Sequence, residues 1–66
     1  MKPPEVTLRQ LSVWRLIALG KSNAEIALAL GITLATVKTH TERLYNAITA
    51  ANRVEAAVLW HKLDMK

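Results

Sequence analysis

The stretch Ser22-Asn-Ala-Glu-Ile-Ala-Leu-Ala-Leu-Gly31-Ile-Thr-Leu-Ala-Thr-Val37-Lys-Thr-His-Thr-Glu-Arg-Leu-Tyr45 decides the fold. Ser22 followed three residues later by Glu25 writes a helix start, in which each side chain satisfies a backbone N–H of the other. Ile26, Ala27 and Leu30 recur at helical spacing. Gly31 follows directly, where a left-handed residue ends a helix. Thr33 caps a second run in which Val37, Thr41, Leu44 and Ile48 fall on one face at 100° per residue. The joint Leu30-Gly31-Ile32-Thr33 has the length and composition of a helix-turn-helix, glycine making the turn and Ile32 plugging the angle. A glycine turn inside an ordinary helical bundle has the same outline, so the outward side of the second helix has to discriminate.

Working outward, Thr7-Leu-Arg-Gln10 and Asn52-Arg-Val-Glu55 repeat the start signature, and Gly20 repeats the stop. The expected fold is all-α: a four-helix domain with helices over about 8–19, 23–30, 34–48 and 53–63 and a central helix-turn-helix. Residues 1–6, with Pro3 and Pro4, read as a short extended arm and residues 7–63 as the domain. Val13, Trp14, Leu16 and Ile17, with Val6 before the cap, form the core stripe of the first helix. Val54, Ala57 and Val58 are assigned to the core side of the fourth. Ala56, Leu59, Trp60 and Leu63 then cluster on another face of that helix, which predicts a homodimer interface burying a tryptophan anchor. The competing reading is a wide core stripe with Trp60 lying across the first helix. Leu8, Leu11 and Leu19 add an apolar excess on the outer side of the first helix, which allows a protein-binding face.

Composition narrows the partners. A chain of 66 residues has room for one thin core and benefits from a second subunit. It has no cysteine, which removes disulfides and thiolate zinc sites. Nine Lys and Arg against five Asp and Glu give a net charge of +4, which favours an anionic partner. No run approaches the ~20 apolar residues of a membrane span, and the start lacks a secretory signal, so a cytoplasmic location is expected.

On the helical wheel, the side of the third helix opposite Val37 and Leu44 carries Ala35, Lys38, Thr39, Glu42, Arg43 and Asn46. Lys donates to guanine or phosphate, Thr and Ala touch a thymine methyl, and Glu accepts from cytosine N4. The same row also serves as a solvated face with a Lys38–Glu42 pair. Phosphate anchors come from the free N–H groups at the helix starts, at Ser22, Asn23, Thr33 and Thr36, with Lys21 beside them. Arg9, Arg43 and Arg53 flank that surface. Ser22 and Thr36 also read as local caps, and for Ser22 alone capping is the favoured reading.

Ser22-Asn23-Ala24-Glu25-Ile26-Ala27, Thr36-Val37-Lys38-Thr39-His40 and Asn52-Arg53-Val54-Glu55-Ala56 together resemble the LuxR/GerE-type (NarL-like) helix-turn-helix family, with its S-N-x-E-I-A, T-V-K-x-H and N-R-x-x-A motifs at this spacing. The resemblance covers about residues 6 to 60. It implies a bacterial transcription regulator that docks its third helix in the major groove of double-stranded DNA, and a fourth helix at a dimer interface. It places phosphate and base contacts at Thr36, Lys38, Thr39 and position 42. The chain departs from the pattern at Leu8, Gln10, Glu42 and Arg43. A start only six residues before the first helix is similar to the stand-alone form of the family, whose activity would be set by protein amount, a partner or cooperative DNA binding.

Three rivals stay in view. A bare domain of this family that heterodimerises with a full-length regulator would be a protein-binding inhibitor. The last domain of a sigma factor has a similar helix pair but lacks the Asn52-Arg53 segment. Contacts with another regulator or with RNA polymerase, and association with the nucleoid, are compatible with the reading. Catalysis is the poorest fit: there is one Asp, no nucleophile–base pair and no phosphate-cradling glycine loop. His40 and His61 lie on different helices without carboxylate company, so neither a metal nor another cofactor is expected.

Overall fold

The computed structural model describes residues 6–64, and the extended arm expected before Val6 lies outside them. Four helices follow one another: α1 (Leu8–Ala18), α2 (Asn23–Leu30), α3 (Leu34–Ile48) and α4 (Arg53–Asp64). Among the described residues there is no strand, and no helix is long and apolar enough to cross a membrane.

The helix starts are built by the expected caps. The Gln10 amide N–H donates to the Thr7 hydroxyl at 3.0 Å, and the Thr7 N–H donates to the Gln10 carboxamide oxygen at 3.0 Å. An amide therefore completes the box that a carboxylate would otherwise close. At α2 the Ser22 N–H donates to Glu25 Oε1 at 2.8 Å and the Glu25 N–H to Ser22 Oγ at 3.1 Å. The fourth start differs in one arm. Asn52 Oδ1 accepts from the Glu55 N–H at 2.9 Å, but Glu55 reaches past the cap to the Ala51 N–H at 2.7 Å.

The helix ends share one device. Gly20 (φ +83°) and Gly31 (φ +67°) are left-handed, and the N–H groups of Lys21 and Ile32 return to the carbonyls of Leu16 and Ala27. The end of α3 uses the same geometry without glycine. Thr49 takes φ 58°, and the Ala50 N–H closes on the Tyr45 carbonyl at 2.9 Å. A β-branched residue in that region is strained by about 1–2 kcal/mol, so the closing contacts around it must hold it there.

α1 is the platform on which the other helices meet. It packs extensively on α3 and α4, and α2 leans mainly on α3. The fully buried set is Val13, Trp14, Ile17, Ile26, Val37, Leu44, Ile48 and Ala56, with Thr41 as the buried polar side chain, its hydroxyl donating to the Lys38 carbonyl at 2.8 Å. The inner stripe of α3 is thus the one its periodicity predicts.

The face of α4 is the reverse of the expected one. Val54 and Val58, assigned to the core, stand in solvent at 73% and 47% exposure. Ala56, Leu59, Trp60 and Leu63, assigned to a dimer interface, face inward: Ala56 is fully buried and the other three pack against the core. The cause is Trp14. Its indole N–H needs an acceptor once the ring is buried, and it donates to the Ala56 carbonyl at 2.7 Å. A methyl side chain at Ala56 lets α4 approach closely enough for that bond. Trp60 then meets Trp14 edge to face, with ring centroids 5.4 Å apart. On a wheel the two apolar faces of α4 are equivalent in kind, and only the partner helix chooses between them.

Two predictions follow from this packing and capping. Trp60→Ala should lower the unfolding free energy by about 2–4 kcal/mol in urea titrations, because it removes an aromatic contact and leaves a cavity between α1 and α4. Glu25 has its carboxyl held below its ordinary value by the Ser22 backbone N–H first and then by the Ser22 hydroxyl, against an opposing desolvation that outweighs the lesser help of the Lys21 charge. A lowered folded-state value means that the stabilisation is complete above the ordinary carboxylate range and is lost as pH falls through the lowered value. Stability measured against pH should therefore fall less steeply on the acid side in Glu25→Gln than in the parent chain.

Candidate nucleic-acid interface

Burial of Val37, Thr41, Leu44 and Ile48 turns the opposite side of α3 outward. Ala35, Lys38, Thr39, Glu42, Arg43 and Asn46 are all exposed along it. Thr36, at the first turn, is half-buried. The sequence-based face and the observed one coincide, because a single apolar stripe leaves a helix no other orientation.

The hydroxyls on this face are already oriented. Thr39 donates its proton to the Ala35 carbonyl at 3.2 Å, which leaves the oxygen lone pairs and the methyl group for an external partner. Thr33 Oγ1 accepts from the Thr36 N–H at 3.1 Å and lies 2.8 Å from Thr36 Oγ1. Two hydroxyls share two protons, and their mutual bond uses one. The other remains free to donate outward beside the unpaired N–H groups of the α3 start.

The starts of α2 and α3 are not electrically equivalent. The first turn of α3 carries no acid, so its positive end is uncompensated. The first turn of α2 carries the ionised Glu25. Lys21 and Ser22 are exposed beside it, and Ser22 is engaged in the capping box, so its local role is the one that the bonds display. Asn23 is half-buried, and its carboxamide oxygen accepts from Arg53 Nη1 at 2.9 Å. Arg53 Nη2 also donates to the Lys21 carbonyl. Sequence reading placed Arg53 only as a flanking cation and missed this clamp. The available hint was a cation at the first position of α4, where it opposes the helix dipole.

The apolar surface is wider than the sequence suggested. Leu8 and Leu11 on α1 and Leu19 at its C-cap are exposed as expected, at 84%, 38% and 59%. Leu28 and Leu34 are exposed too, at 86% and 46%, along an open groove floored by Ala24, Ala27, Gly31 and Ile32. Ala56 is buried, and Leu59, Trp60 and Leu63 are half-buried against the core of the protomer itself.

Comparison with known proteins meets this geometry. The chain is 42% identical over 57 residues to the transcriptional regulatory protein LiaR of Bacillus subtilis, covering 86% of this chain and 27% of the relative. It is 43% identical over 61 residues to the transcriptional regulatory protein YhcZ of the same organism, covering 92% and 28%. It is 40% identical over 53 residues to the response regulator protein VraR of Staphylococcus aureus, covering 80% and 25%. The chain therefore spans about a quarter of the length of the curated relatives it matches. The model of the bacterial regulatory proteins of the luxR family matches residues 5–60, across all three motifs and the exposed face of α3, and the chain belongs to that family.

Proposed function

We propose that the chain binds double-stranded DNA as a sequence-reading transcription regulator, with α3 in the major groove and the starts of α2 and α3 on the phosphates. One observation carries the reading: the whole apolar stripe of α3 is buried while Lys38, Thr39, Glu42, Arg43 and Asn46 form one exposed polar row. A helix with that division can enter a groove without unfolding any of its core. The net charge of +4 supports approach to a polyanion, and the family membership supports the same function.

Within this row the roles divide by chemistry. Lys38 and Arg43 donate to phosphate or to guanine O6 and N7, Glu42 accepts from cytosine N4, and Thr39 offers its methyl group to thymine. Thr33, Thr36 and the bare start of α3 form the better phosphate seat, because Glu25 already neutralises part of the positive end of α2. Lys21 and Asn23 supplement the seat at α2. Cytoplasmic action on DNA, without catalysis or a cofactor, belongs to the same proposal.

Dimerisation is a second part of the proposal, through a different face from the one that α4 periodicity suggested. Val54 and Val58, one turn apart and exposed, are the apolar residues that α4 leaves for a second copy. Pairing there would set two copies of α3 on the half-sites of an inverted repeat.

Selection from a random duplex pool should return a preferred site. Lys38→Ala should weaken binding to all sequences and reduce the salt dependence by about one counterion. Thr39→Ala and Glu42→Ala should each cost about 1–3 kcal/mol at particular base pairs. Recovery of no preferred sequence, together with tight pairing to a longer regulator of the family, would replace the DNA reader with the inhibitor. In sedimentation, Val54→Glu combined with Val58→Glu should abolish self-association and two-half-site binding while sparing affinity for one half-site; a parent chain that stays monomeric on an inverted repeat would remove the dimer.

A further inference from the structure

The structure joins α4 to the start of α2 through one side chain. Arg53 is half-buried at the first position of α4, and its guanidinium forks between the Asn23 carboxamide oxygen, at 2.9 Å from Nη1, and the Lys21 carbonyl. These bonds bridge 30 and 32 residues of sequence. Elsewhere α4 packs mainly on α1, and α2 mainly on α3. A cation at the start of a helix is disfavoured by the helix dipole, so retention of an arginine here requires a compensating bond, and the fork supplies two.

The fork has a directional consequence. With the Asn23 oxygen committed to Arg53, the amide nitrogen and its two protons are held at the opposite edge of the carboxamide. We propose that Arg53 is a positioning residue for DNA binding: it orients the Asn23 amide, and the Lys21–Ser22 segment behind it, as donors to the phosphate backbone. This rests on the DNA-docking reading above. The Lys21 charge offsets part of the Glu25 carboxylate at the same helix start. The Arg53 guanidinium is engaged with Asn23 and Lys21, and it acts through them.

The test is fluorescence anisotropy of the 66-residue chain with a labelled random-sequence duplex of about two helical turns, repeated over a range of salt concentrations. Arg53→Ala and Asn23→Ala should each weaken binding by about 5- to 10-fold, and the double variant should be no weaker than the worse single by more than about twofold, since both remove one coupled unit. Arg53→Lys keeps the charge but not the fork, and should lose as much as Arg53→Ala. The salt slope should stay at the parent value in all of them, because no charged phosphate contact is removed. Circular dichroism and thermal midpoints recorded alongside establish that the variants are folded; should Arg53→Ala not fold, Asn23→Ala and Arg53→Lys carry the same comparison. Full activity of Arg53→Lys, additive losses in the double variant, or a slope reduced by about 0.9 in Arg53→Ala would each overturn the positioning role. A parent chain that fails to bind the duplex would instead bring down the docking reading, and the positioning role with it.

Discussion

The buried hydrogen bond from the Trp14 indole to the Ala56 carbonyl is the constraint on which the arrangement of helices depends. A tryptophan ring supplies more apolar area than any other side chain, but its N–H is costly to bury without an acceptor. α4 provides that acceptor from its own backbone, at a position where the side chain is only a methyl. The choice fixes the rotation of α4, draws Trp60 against Trp14 and brings Leu59 and Leu63 onto the core. It leaves Val54 and Val58 outside. In a domain with so few fully buried residues, one satisfied polar atom decides the orientation of an entire helix.

The same arrangement exposes the outward row of α3. α1 holds α4 on one side and α3 on the other, so α3 has its apolar stripe completely covered and its polar row completely free. The tight turns at Gly20 and Gly31 keep the connections short, and the caps at Ser22 and Thr33 direct two helix starts toward the surface. Side-chain conformations on this surface are constrained by local bonds, at Thr39 to Ala35 and at Thr33 to Thr36. Such pre-orientation reduces the entropy lost when a partner binds.

Electrostatics gives the two helix starts different characters. The start of α3 has hydroxyls and no acid. The start of α2 has Glu25, bound tightly enough by Ser22 to stay ionised at lower pH than usual, with the Lys21 charge beside it. A capping box places a carboxylate at the positive end of a helix, and the Lys21 charge offsets part of it. At α1 the box is closed by the Gln10 carboxamide, which brings no charge to that helix start.

Local chemistry along the chain determined the four helices, their limits to within a residue, the turn at Gly31 and the outward row of α3, because caps, left-handed glycines and a single apolar stripe each act within a few residues. The family was legible for the same reason, since its motifs are runs of local signals at fixed spacing. The stop at Thr49 was not visible as a signal, because a threonine adopts that backbone only when closing contacts compel it. Two matters belonged to the tertiary structure alone. The inward face of α4 was ambiguous while two apolar faces competed on one helix, and only Trp14, 42 residues away, decided between them. The clamp of Arg53 on Asn23 and Lys21 joins residues that no periodicity relates, so it exists only once α1 has brought the starts of α2 and α4 together.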